Sequence, residues 1–266
     1  MTSLAKSESL ASGYRNSRQY TRDKWSSTVG AGFLMAGLSL MGALGFIVIP
    51  GSQEFGVTTA QFLIYYSIFN VASAISKGIG GTLAYRYGIK IVGTVASLIS
   101  VSGLVLMAFS PSLVMLYIVA AVFGLGWGPS TQLGGAIVVT GWHDAKTRGR
   151  VMGIVAACSG VGGVIVGLVM PRVISSWSWR GGLLTIGALM FLFVVLPMLF
   201  LIKNPPVVEE AATSPNRAKK IGIFESMQAA NLILPAALLL IASFLLSMEV
   251  PVSQILPNHL EISGLT

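Results

Sequence analysis

Long apolar runs without a single charge alternate along this chain with short, polar, mostly basic turns. The uncharged stretches are 25–53, 55–76, 91–142, 151–171, 181–202 and 226–248. The third is roughly double length and is punctuated by Ser110-Pro111-Ser112, so it reads as two crossings. A bilayer core of about 30 Å is spanned by roughly 20 apolar residues of helix. Backbone amides cannot face lipid unpaired, so the spans must be helical. The pattern predicts an all-α membrane protein with helices near 28–50, 60–82, 90–109, 112–140, 150–173, 182–202 and 230–250.

Local signals sharpen some boundaries. Thr58 with Gln61 three residues on is a capping-box pattern opening helix 2. Ser110 followed by Pro111 reads as the N-cap and first residue of helix 4. The prolines and mixed charges of 203–228 read as a linker. The expected organisation is an N-terminal segment, 1–27; a six-helix bundle, 28–202; the linker, 203–228; and 229–266, holding helix 7 and the start of a second bundle. An internal echo supports the second bundle. Ile49-Pro50 and the later Gly56-Val57-Thr58 recur as Leu256-Pro257 and Gly264-Leu265-Thr266. Two similar exit loops arising by chance, or a parallel repeat of two helical halves, would both produce it.

Composition agrees with the pattern: 54% hydrophobic and 10% charged residues, with mean hydropathy +0.79. The net charge of +8 raises nucleic acid as a partner, but its distribution argues for a membrane instead. Of the 17 basic residues, only Arg172 and Arg180 fall on the side opposite the N-terminus. The rest flank helix 1, the turn between helices 2 and 3 (Lys77, Arg86, Lys90), the turn between helices 4 and 5, and the linker. The positive-inside rule then places the N-terminus in the cytoplasm and the protein in the cell (inner) membrane. Cys158, the single cysteine, can form no internal disulfide and reads as a packing residue. No signal peptide precedes helix 1, whose apolar run is too long for one.

The turn between helices 2 and 3 reads Gly81-Thr82-Leu83-Ala84-Tyr85-Arg86-Tyr87-Gly88-Ile89-Lys90. It resembles the G-x-x-x-D-R-x-G-x-[RK] signature of the major facilitator superfamily. Gly141-Trp142, the basic DAKTRGR loop and the Gly-rich start of helix 5 resemble subgroups of that family carrying mono- and dicarboxylates, and Ser178-Trp179-Arg180-Gly181 resembles the family's usual entry to helix 6. The resemblance implies a twelve-helix bundle, here truncated to about seven spans, that moves a small solute by alternating access. It also implies a gating loop at Gly81, Tyr85, Arg86, Gly88 and Lys90. Tyr85 stands where the family usually has aspartate, which puts the usual charged latch in doubt. No arginine occurs near Ala120, and Gly167 and Pro171 are four apart, both unlike drug antiporters of the family.

Gly153, Ala156, Ala157, Gly160, Gly163 and Gly167 form a smooth face on helix 5, and Gly124 and Gly128 form another on helix 4. Close helix packing in lipid is the expected role. No acid or base is expected in the middle of helices 1–6. Neutral groups remain, and the resemblance, in which helices 1, 4 and 7 line the central cavity, implies Ser39, Trp127, Thr131 and Gln132 as substrate-path candidates, with Asn70 of helix 2 beside them. Glu249, near the outer end of helix 7, is an interfacial carboxylate or a coupling residue. There is no catalytic constellation, metal-ligand spacing or phosphate loop, so the chain reads as neither an enzyme nor a cofactor protein. Its expected function is secondary transport of a small organic anion such as a carboxylate. The alternative is a non-transporting subunit or fragment of such a transporter. Its expected partners are the solute, the bilayer and the missing C-terminal half or a partner chain.

Overall fold

A computed structural model describes residues 17–206. The chain divides into two units, Met1–Ala212 and Thr213–Thr266, and every described residue belongs to the first. Helix 7, Glu249, most of the linker and the second copy of the loop echo lie outside the described residues. Five helical runs are long and apolar enough to cross a bilayer: α1 (Arg18–Phe55), α2 (Thr59–Tyr87), α3 (Ile89–Ala108), α4 (Leu113–Trp142) and the double-length Ala145–Phe200. The last is divided at Ser178 (φ 66°, ψ 174°), giving α5 (145–177) and α6 (179–200). Six crossings therefore stand where the apolar pattern puts helices 1–6.

The ends follow local chemistry. Gly56 closes α1 in the left-handed region (φ 64°), its N–H donating to the Gln53 and Ser52 carbonyls. The predicted capping box forms: the Thr58 hydroxyl accepts from Gln61 N–H, and the Gln61 side chain accepts from Thr58 N–H. The predicted cap of helix 4 is two residues off. Ser110 is buried and donates back to the Leu106 carbonyl at 3.0 Å, finishing α3. The extended residue that opens α4 is Ser112, whose hydroxyl accepts from Met115 N–H. Both serines have the chemistry of a cap, and only backbone direction separates them.

Two crossings are interrupted. α1 tightens to a 3-10 helix over Ser39–Ile47, and α4 breaks at Thr131 (φ −109°, ψ −102°), two residues after Pro129. Proline removes an amide donor and frees carbonyls one turn earlier. The carbonyl so freed is that of Leu125, while at the break the hydroxyls bond back into the last turn: Ser130 donates to the Gly126 carbonyl at 2.9 Å, and Thr131 to that of Trp127 at 3.0 Å.

The first half of α4 is wedged between α2 and α3, and its second half lies on α1, which packs in turn on the α5–α6 run. Gly124 sits against the Phe69 carbonyl, Gly128 against Ser73 and Ser76, and Gly126 against Ala96 and Ser100, so the smooth face predicted on helix 4 is used as expected. Ser76 and Ser100 donate across these contacts to the carbonyls of Gly124 and Phe123, each at 3.3 Å. Beside them Phe69 and Phe123 stack with centroids 4.7 Å apart, and Trp127 meets Phe123 edge-on at 5.5 Å.

The smooth face on α5 differs from expectation. Gly153, Gly160, Gly163 and Gly167 have open space where a side chain would stand, and the α5 glycine that packs is Gly162, against the Ala36 carbonyl of α1. The stripe points away from the six-helix bundle rather than into it.

α5 and α6 form a hairpin joined by one residue. Gly181 and Gly182 at the start of α6 fold back onto Trp177 and Ile174 of α5. Ser178 takes a positive φ that non-glycine residues avoid, and its hydroxyl accepts from Arg180 N–H at 3.3 Å as the cap of α6. Ser178→Val, which is β-branched and loses the cap, is expected to cost about 2 kcal/mol. Ser178→Gly exchanges the cap for relief of strain and should change stability by less than about 1 kcal/mol. Unfolding of the detergent-solubilised chain by graded SDS measures both; equal losses would dismiss strain at this corner.

Candidate functional site

The helix lengths move one residue decisively. Lys77 was expected beside the turn between helices 2 and 3, but α2 continues to Tyr87, so Lys77 lies ten residues inside the helix end. That is about 15 Å of helix. The expectation of no base within helices 1–6 is thereby corrected. Lys77 is partly buried, and its stem lies against Gly128 of α4 beside Ser73 and Ser76. No carboxylate pairs with it among the described residues, and no other described cation lies as far from a helix end. Placing a cation at such depth costs roughly 2.5–3.5 kcal/mol on insertion scales, which makes it a site by default. The predicted span 60–82 already encloses Lys77; counting it with the cations of the turn is what hides its depth.

The predicted path residues are not gathered into one cavity. The Ser39 hydroxyl donates to the Ser159 carbonyl, tying the 3-10 part of α1 to α5. Trp127 is 3% exposed and belongs to the aromatic cluster. Thr131 is buried at the break of α4, its hydroxyl committed to its own helix, while Gln132 next to it is exposed. Asn70 is exposed on α2 and donates to the Tyr66 carbonyl. An apolar pocket of about 370 Å³ lies elsewhere, between α1, α5 and α6, lined by Trp25, Phe33, Ile154, Cys158, Val161 and Phe193.

In the predicted gating loop, Gly81 is open to its surroundings, Tyr85 is exposed, and the Arg86 guanidinium lies 5.2 Å from the centre of the Tyr87 ring. Gly88 is the residue whose identity the geometry demands. It has φ 84°, and any side chain there would strike the Asn204 amide. Asn204 Oδ1 accepts from Lys90 N–H at 3.1 Å and so caps the start of α3.

The two ends of the bundle are fastened differently, and sequence reasoning found neither clasp. At the end away from Lys90, Arg180 Nη2 meets Glu54 Oε1 at 2.7 Å, with Nε at 3.0 Å. Trp179 Nε1 donates to the other oxygen, and Arg180 Nη1 reaches the carbonyls of Ala108 and Ser110 at 2.7 and 3.1 Å. One guanidinium thus joins the ends of α1, α3 and α6. At the basic end, Lys203 N–H donates to Ser27, Ser26 donates to the Leu201 carbonyl, and Trp142 Nε1 to the Lys203 carbonyl. His143, 5% exposed, lies 2.8 Å from Thr28 Oγ1 through Nε2. That hydroxyl donates to the Lys24 carbonyl at 2.8 Å, so it accepts from the ring, which fixes the proton on Nε2. Burial, and then the nearby Lys24, hold the imidazole below its ordinary pKa; Asp144 opposes them.

Comparison with known proteins bears on all of this. A model of the Major Facilitator Superfamily matches residues 27–266. The chain is 29% identical over 153 residues to the protein named Probable sulfoacetate transporter SauU of Cupriavidus necator, an alignment covering 58% of this chain and 35% of that one. It is 28% identical over 172 residues to the hexuronate transporter of Bacillus subtilis, covering 61% and 40%. The matched segments are thus less than half the length of these relatives. A solved structure of the nucleoside transporter NupG is similar with TM-score 0.64 at 17% identity, over 89% of this chain and 57% of that one, a likeness of fold alone.

The clasps yield two expectations. Glu54→Gln and Arg180→Gln should both destabilise the solubilised bundle, with Arg180→Gln the worse because it also strands two carbonyls. A double-mutant cycle should give a coupling of about 0.5–1 kcal/mol, since the pair is partly solvated; zero coupling would make the ion pair incidental. For His143 the folded pKa lies below the unfolded value near 6.5, so the unfolded chain binds the proton more readily. Stability should be full above about pH 6.5 and fall as pH drops through that value toward the lower folded pKa. Melting curves of the wild type and His143→Gln between pH 8 and 5 test this, and parallel pH dependence in the two would exclude His143 as its source.

Proposed function

The chain belongs to the Major Facilitator Superfamily, and from that premise we propose that it takes part in the secondary transport of a small organic anion. Lys77 carries the reading. A cation this deep in an apolar crossing, with no carboxylate paired to it among the described residues, is stabilised when a negatively charged solute supplies the countercharge. The relatives named for sulfoacetate and hexuronate handle solutes of that chemistry. Ser73 and Ser76 on the same helix, with Gly128 opposite, leave little bulk beside the lysine stem.

Alternating access requires a second bundle rocking against this one. The exposed small-residue stripe on α5, and the exposed Val71, Ile75 and Ile79 of α2, are surfaces this half leaves uncovered. Small residues let another helix approach closely where lipid alone would not call for them. We therefore assign the α5 stripe to a second bundle. The basic end faces the cytoplasm by the positive-inside rule, with Arg86 and Lys90 at the interface, in the inner membrane.

Uptake of labelled sulfoacetate and labelled glucuronate into proteoliposomes containing the full chain tests the proposal. Saturable uptake is expected, reduced about tenfold or more by Lys77→Met and largely retained by Lys77→Arg. Absence of saturable uptake would defeat transport by this chain, and undiminished uptake by Lys77→Met would defeat the role given to the lysine.

A further inference from the structure

An open pocket of about 560 Å³ lies at the basic end, between the first turns of α1 and the exit of α6. Its wall carries Arg18, Arg22 and Lys203 against one carboxylate, Asp23. Arg18, Arg22 and Ser26 recur at four-residue intervals, so they share one face of α1. Lys203 arrives from the far end of the bundle and is held by its backbone: its N–H donates to Ser27 at 2.9 Å and its carbonyl accepts from Trp142 at 3.3 Å. Ser26 fastens the preceding turn through the Leu201 carbonyl at 2.9 Å. The cations are therefore brought together by the fold, not by neighbouring positions in sequence. Beside them Phe200 is 71% exposed, and the exposed Leu192 and half-buried Leu196 lie on the same side of α6 along the membrane.

We propose that this pocket binds the phosphate of an anionic membrane lipid. Two guanidinium forks and an ammonium suit the oxygens of a phosphodiester, which arginine meets in bidentate fashion. Basic pockets between helices at a membrane face favour such headgroups, each cation adding attraction near the surface. The apolar stripe distinguishes a lipid from a free anion: Phe200, Leu196 and Leu192 give an acyl chain a path away from the charged pocket, which a soluble phosphate would not use. The site is separate from Lys77 and does not depend on the transport reading.

The test uses the full chain, delipidated in detergent, with bound lipid counted by native mass spectrometry in mixed micelles. Dioleoyl phosphatidylglycerol should be retained about tenfold over dioleoyl phosphatidylcholine. Arg22→Gln/Lys203→Gln should remove most of that preference. Lys146→Gln/Arg150→Gln, which deletes the same charge elsewhere on the basic end, should leave it within about twofold. Arg22→Lys, which keeps the charge, should retain at least half of it and shows that loss in the double variant is not misfolding. An unchanged preference in Arg22→Gln/Lys203→Gln, or an equal loss in the Lys146/Arg150 variant, would overturn the site. Displacement of phosphatidylglycerol by millimolar inorganic phosphate would overturn the lipid as its source.

Discussion

Lipid offers the backbone no hydrogen-bond partner, and the described bundle answers that constraint most visibly along α4. Where α4 breaks at Thr131, the hydroxyls of Ser130 and Thr131 bond the Gly126 and Trp127 carbonyls one turn back. Where α4 presses between α2 and α3, Ser76 and Ser100 reach across to its carbonyls. Such contacts are possible only because Gly124, Gly126 and Gly128 let the backbones approach. In water these glycines would weaken a helix by about 1 kcal/mol each. In a membrane, close approach and the hydroxyls it brings into reach are what hold neighbouring helices together.

Much of this was legible in the sequence because lipid simplifies the reading. Charge-free length locates six crossings, Thr58 and Gln61 locate a helix start, and the Gly124–Gly128 spacing locates a packed face. What was not legible depended on where helices stop and which way they turn. Nothing local says that α2 runs to Tyr87, so Lys77, inside the predicted span 60–82, is counted with the cations of the turn although its neighbours on both sides are apolar enough to continue the span. Ser110 and Ser112 compete as caps on equal chemistry. The stripe on α5 has the spacing of a packed face whichever partner it meets, and only the position of Gly162 on the opposite side shows which face this bundle uses. The Glu54–Arg180 and Thr28–His143 contacts join residues more than a hundred positions apart, beyond the reach of periodicity.

The site chemistry follows from the same solvent. Among the described residues the bundle tolerates one deep cation in α2 and leaves one buried side-chain oxygen, Thr94 Oγ1 in α3, without a partner. On the proposed reading, moving an anion through an apolar medium calls for a compensating charge at depth, the part proposed for Lys77, and polar fastening elsewhere, as the clasps at the two ends provide.

The single-residue corner at Ser178 has a mechanical consequence. Two rods joined so tightly at one tip cannot separate there, so any relative swing must grow with distance from the vertex. Residues 179–200 form a lever of about 33 Å, on which a rotation of 5° displaces the far tip by about 3 Å. The far tip is where Leu201 and Lys203 are tethered to α1. A scissor-like opening of this pair would therefore spend its whole amplitude on those tethers and almost none at the vertex.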